Sequence, residues 1–140
     1  MSGVAWKVGI VGLLMTLGAM AQAPDRPEPT LSAAEMAVVT RQIATLKTPG
    51  ERHIAEGWSN AKKVAELICR PAALAVLKKQ AKGVDRVFLG PDAVASPTLE
   101  SNRRLTGSGQ FRTPQGWQDF SFACGLNPET GKVTSFQPVR

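Results

Sequence analysis

A chain of 140 residues fits one domain of ordinary size and leaves no room for a second catalytic unit. An apolar fraction of 43% with 20% charged residues can build a core, so a wholly disordered chain is excluded. The formal charge is +6, and one histidine with two cysteines provides neither a metal cage nor a histidine-based catalytic centre.

The opening segment carries Lys7, an apolar run of 13 residues from Val8 to Met20, and then small residues at alternating positions. This is the plan of a secretory signal peptide. The run is shorter than the roughly 20 residues a membrane-spanning helix needs. Residues 1–21 are therefore expected to be a cleaved signal, with the mature chain starting at Gln22 and exported to the periplasm or the medium. Cleavage removes Lys7 and leaves +5, all of it after Cys69: ten basic and five acidic residues follow that position, against six of each between Gln22 and Cys69. An electrostatic partner is expected to meet this second part.

Residues 22–31, with three prolines between Ala23 and Thr30, read as an extended, solvated tether. A single domain is expected over 32–140. Ser32-Ala-Ala-Glu35 is a capping box, flanked by Leu31 and Met36 as a hydrophobic staple. Met36, Val39, Ile43 and Leu46 then share a helical face until Thr48-Pro49-Gly50 ends the helix. Gly50 to Gly57 reads as a connector, with His53 solvated. A second helix from Ser59 or Asn60 should bury Ala61, Val64, Ala65 and Ile68, and Pro71 should open a third that buries Leu74, Leu77 and Ala81.

From Asp85 the period changes. Val87-Phe88-Leu89 is one short strand, and residues 91–98 are loop. Arg103–Arg112, Trp117–Leu126 and Lys132–Pro138 form an antiparallel meander with turns at Thr113–Gly116 and Asn127–Gly131. A two-residue loop at Pro114-Gln115 sets the register: Arg112 opposite Trp117, Gly109 opposite Phe120, Gly107 opposite Phe122 and Leu105 opposite Cys124. Leu105, Phe111, Phe120, Phe122, Cys124 and Leu126 then face inward, with the two phenylalanine rings covering the bare glycine backbone. Arg104, Thr106, Ser108, Gln110, Arg112, Trp117, Asp119 and Ser121 face outward. The expected fold is α+β: three short helices on one face of a small antiparallel sheet made of the three-stranded meander and one short strand.

Cys69 and Cys124 are expected to form a disulfide, since export sends them to an oxidising compartment and both belong to the buried face. A Cys69 nucleophile with His53 as base is set aside because no third group orients the pair. Gly107-Ser-Gly109 and Gly131-Lys132 lack the spacing of a phosphate loop. No catalytic residue, metal site or cofactor is assigned. The remaining candidate is the outer sheet face, where Arg103, Arg104, Arg112, Trp117 and Lys132 combine positive charge with an exposed ring. An anionic envelope polymer or an acidic protein would fit there, while nucleic acid is not expected. The plainer alternative is a solvated face on which an arginine stacks against a cross-strand tryptophan.

Cys69, the Ala-Leu-rich helix after it, Asp85-Arg86-Val87, Gly109-Gln-Phe111-Arg112, Trp117, Phe122-Ala-Cys124 and Val133-Thr-Ser-Phe136 together resemble a family of small exported bacterial domains, the domain of unknown function 930, over about residues 60–138. The resemblance implies export and a shared fold, and brings no activity with it. The expected role is thus an exported, disulfide-stapled binding module. A small hydrolytic or redox enzyme and a structural envelope protein are the competing classes.

Overall fold

The computed structural model describes residues 3, 27–90 and 97–139. Apart from Gly3, the signal segment lies outside the described residues, as does the first part of the Pro-rich segment. The order of elements is α1 (Ala33–Ala44), α2 (Pro49–Glu56), α3 (Asn60–Val64), a π-helical turn (Ala65–Cys69), α4 (Arg70–Gln80), β1 (Arg86–Leu89), β2 (Thr98–Leu99), β3 (Arg104–Thr113), β4 (Gly116–Asn127) and β5 (Lys132–Val139). All pairings are antiparallel, in the order β1-β3-β4-β5, with β2 also against β3. The fold is α+β, a sheet with helices over one face.

The capping box at Ser32 forms as the sequence predicts: Ser32 N–H donates to Glu35 and Glu35 N–H to Ser32 Oγ. The buried stripe of α1 is nevertheless Glu35, Val39 and Ile43, and Met36 is exposed, so the expected staple with Leu31 does not close. Val39 and Ile43 are buried and Leu46 packs against the core as expected; only in the first turn does Glu35, which finds a buried partner described below, take the place expected for Met36. The stretch read as a connector is helix α2 up to Glu56, with Gly57 as its C-cap. Thr48 caps α2 with a second capping box to Glu51, and Pro49 occupies the first turn, where its missing N–H costs nothing. The residues expected to stop one helix start the next.

Pro71 does not separate two helices either. Residues 60–80 form one uninterrupted rod, and the π-helical turn just before the proline absorbs it: Arg70 N–H reaches back five residues to the Ala65 carbonyl. This shift moves the preceding carbonyls away from the pyrrolidine ring, which would otherwise clash with the residue four positions earlier. The rod buries Ala61, Val64, Ala65, Ile68, Cys69, Ala73 and Leu77, whereas Leu74 and Ala81 are half-buried. It lies across the sheet, touching β1 and β5, while α1 packs on the π turn.

Strands β3 and β4 pair in the predicted register, with Arg112 opposite Trp117, Gly109 opposite Phe120, Gly107 opposite Phe122 and Leu105 opposite Cys124. All six predicted inward residues are buried. A Cβ on Gly109 would sit 2.9 Å from the Phe120 ring, so that ring lies directly on bare backbone. Phe111, Phe120, Phe122 and Phe136 continue as a chain of ring contacts with centroids 5.7–6.2 Å apart. Strand β2 begins at Thr98, the last residue of the stretch read as loop. It fills the edge of β3 that β1 leaves open, pairing Leu99 with Leu105 and burying Leu99.

The described end of the Pro-rich segment is extended but not free. Glu28 accepts the N–H groups of Asn60 and Ala61 at 2.8 and 2.5 Å, satisfying donors that the first turn of a helix leaves open. Asn60 Nδ2 donates to the Pro29 carbonyl, and Leu31 is buried. Residues 28–31 thus strap the start of the rod.

Candidate functional site

Cys69 and Cys124 are joined by a disulfide, with Cα atoms 6.4 Å apart and both residues fully buried. The bond ties the π turn to the central strand of the meander. No described cysteine is free.

The five residues of the predicted basic face do not form one site. Arg103 is absent from the outer face. It has φ +65°, the only non-glycine positive φ among the described residues, and this conformation turns its side chain toward α1. Its guanidinium binds both carboxylate oxygens of the fully buried Glu35 and donates to the Thr30 carbonyl at 3.0 Å, while its own carbonyl accepts Leu126 N–H at the β-bulge of β4. Arg103 is a structural hub. Arg104 and Arg112 do face outward, but eight residues of strand separate them by about 26 Å. Arg104 begins β3 opposite Gly125 and Lys132 begins β5 opposite Asn127, both at the far end of the sheet. Arg112 is held by Asp85 through two hydrogen bonds of 2.9 and 2.6 Å and lies over the Trp117 ring at 5.7 Å. That pairing lowers the Asp85 carboxyl below its ordinary range and raises the guanidinium. For Arg112 the arrangement is the stacked pair of the plainer alternative.

A different grouping forms around Trp117. Phe88, on the end strand β1, reaches across β3 to stack on it, with ring centroids 5.5 Å apart and planes inclined by 22°. Both rings are exposed, 39% and 46% respectively. Gln110 Nε2 donates to Asp119 at 2.8 Å on one side of this aromatic ridge, and the Arg112–Asp85 pair lies on the other.

Two grooves meet at Phe88 and Arg70. One, of about 380 Å³, is bounded by Trp58, Lys62, Glu66, Arg70, Phe88, Gly90 and Gln110. The other, of about 500 Å³, is bounded by Arg70, Pro71, Leu74, Asp85, Arg86, Val87 and Phe88. Lys62 Nζ sits 5.1 Å over the Trp58 ring. Glu66, buried in the π turn, accepts Leu89 N–H at 3.3 Å and pairs with Arg70 at 3.2 Å. Burial pushes its carboxyl above the ordinary range, against the opposing pull of Arg70, the Leu89 N–H and Lys62. The π turn is what brings Glu66 and Arg70 to this edge of the sheet. The sequence does contain one local sign of the site: a glutamate inside the apolar run Ala65-Glu66-Leu67-Ile68, where a charge is rarely buried without a partner. The sheet partners of the site, Phe88 and Gln110, carry no such sign.

Among the described residues no cluster of His, Cys, Asp or Glu could hold a metal ion, and no helix is long and apolar enough to cross a membrane. No curated protein and no solved structure matches the chain. Residues 59–138, from the N-cap of the rod to the end of the sheet, match the model of one family, and the chain belongs to it: the Domain of Unknown Function DUF930.

Proposed function

We propose that the protein is exported and acts by binding an anionic component of the cell envelope, without catalysing a reaction. The observation that carries this reading is the exposed Phe88–Trp117 ridge beside two grooves whose rims bear Lys62, Arg70 and Arg86. Exposed paired rings on a sheet face that no described helix covers are characteristic of a contact surface, and the cations give it a sign. Glu66 is the one buried acid in the grooves, and its two oxygens are engaged by Leu89 N–H and Arg70, which favours a positioning role over proton transfer. The disulfide suits an oxidising compartment.

Two measurements test the proposal. On cell fractionation the protein should be found in the periplasm or medium and begin at Gln22, and protein that stays in the cytoplasm with Met1 retained would refute export. In sedimentation with isolated envelopes, the protein should be released as salt rises toward about 0.15 M, where the Debye length is about 8 Å. An Arg70→Glu, Arg86→Glu double variant should remain in the supernatant at low salt. Sedimentation equal to that of the parent would overturn the reading.

A further inference from the structure

We infer that the ligand is an acidic polysaccharide, with a sugar ring seated on the Phe88–Trp117 ridge and its carboxylate held by Arg70. This rests on the binding role proposed above and names the partner's chemistry. A pyranose ring offers a face of C–H groups and a rim of hydroxyls. The face requires an exposed, rigid aromatic surface, and the rim requires planar donors and acceptors fixed beside it. The ridge supplies the first, because two rings from β1 and β4 brace one another across β3. Gln110–Asp119 and Arg112–Asp85 supply the second, one pair on each side, each held in place by its own hydrogen bonds.

Charge selects among sugars. Arg70 lines both grooves next to Phe88, its side chain is 43% exposed, and its contact with Glu66 runs through Nη1, while a guanidinium carries five N–H donors in a fork that matches a carboxylate. Arg86 and Lys62 extend the positive rim to either side, so successive acid groups of a linear chain would each meet a cation. An acidic peptide fits less well. Its most economical mode would be to add a strand beside β1, and Glu66 already takes the Leu89 N–H of that strand.

The test is calorimetric titration of the whole protein with three anionic probes: a galacturonate hexamer, a polyglutamate peptide and phosphatidylglycerol vesicles. The methyl ester of the hexamer serves as the uncharged control. The hexamer should bind, and its methyl ester should bind at least about tenfold more weakly. Trp117→Ala and Arg70→Gln should each weaken the hexamer by about tenfold or more, and Trp117→Phe should restore binding to within about threefold. Thermal melts of the same samples report folding. If peptide or vesicles bind as tightly as the hexamer, or if Trp117→Ala leaves the hexamer unaffected, the glycan assignment fails while the binding role stands. If none of the three anionic probes binds, both fail.

Discussion

Replacing Arg103 should expose how much of the fold depends on a single buried charge. Glu35 is fully buried, and the Arg103 guanidinium holds both of its oxygens. Among the described residues, Arg103→Ala leaves that carboxylate with only the Ser32 N–H, and stranding one partner of a buried pair costs about 3–5 kcal/mol. Arg103→Gly strands the same charge but removes the cost of a Cβ at φ +65°, about 1 kcal/mol, so it should be the milder of the two. Urea unfolding at pH 7 reads the difference. With a denaturant slope of about 2 kcal/mol/M, Arg103→Ala should lower the midpoint by about 1.5–2.5 M and Arg103→Gly by about 0.5 M less. The double variant Glu35→Leu, Arg103→Ala removes the charge together with its partner and should recover at least about 2 kcal/mol relative to the sum of the single changes. A midpoint shift below about 0.5 M for Arg103→Ala, or a coupling near zero, would show that the pair contributes only as a surface ion pair does.

Three further outcomes are expected. Phe122→Ala should cost about 3–5 kcal/mol in denaturant melts and Trp117→Ala less than about 1, since Phe122 is buried and Trp117 is on the open face; equal losses would exchange the two faces. Glu66→Gln keeps an acceptor for Leu89 N–H and removes a carboxyl whose titration burial has raised. A raised acid is easier to protonate when folded, so its penalty is absent at low pH and grows as pH rises through its folded value; the stability of the variant relative to the parent should therefore increase from about pH 4 to pH 7, and a flat difference would contradict the cause given for the shift. Replacing both cysteines by alanine opens a loop of 55 residues and should destabilise by up to about 4 kcal/mol in the chain-entropy account, whereas a loss below about 1 would mean that packing alone holds the π turn to β4.

The sheet was readable from local pattern because its determinants are local. Alternation fixed the faces, the turn at Pro114-Gln115 fixed the register, and two glycines opposite two phenylalanines agreed with both. The helical layer was less legible because two of its signals have double meanings. Thr48-Pro49-Gly50 is a stop by composition and a start by geometry, and Glu51 three residues after Thr48 is what decides it. Pro71 is a breaker in an α-helix but is tolerated directly after a π turn, whose five-residue hydrogen bond has no sequence period. Strand β2 is two residues long and owes its state to β3. The disulfide was accessible from the expected export and the shared buried face. Arg103 was misplaced because its partner Glu35 lies 68 residues away and no spacing rule links them. For the candidate site the outward position of Trp117 could be derived, but its stacking on Phe88 depends on β1 and β4 flanking the same strand, a fact of topology.

The bond between Cys69 and Cys124 also determines how the protein responds to tension. A pull applied to the ends of the domain passes along the rod to Cys69, crosses to Cys124 and leaves through the last strand, bypassing everything between them. The shielded stretch includes α4, β1, β2, β3 and most of β4, and with them the aromatic ridge on its outer face except for contacts made by β5. With 55 residues removed from the load path, full extension is shorter by about 180–200 Å than for a chain without the bond. A load applied between the two ends of the domain would therefore unravel the strap, α1, α2 and β5 first, while the two cysteines hold the ends of the remaining loop together.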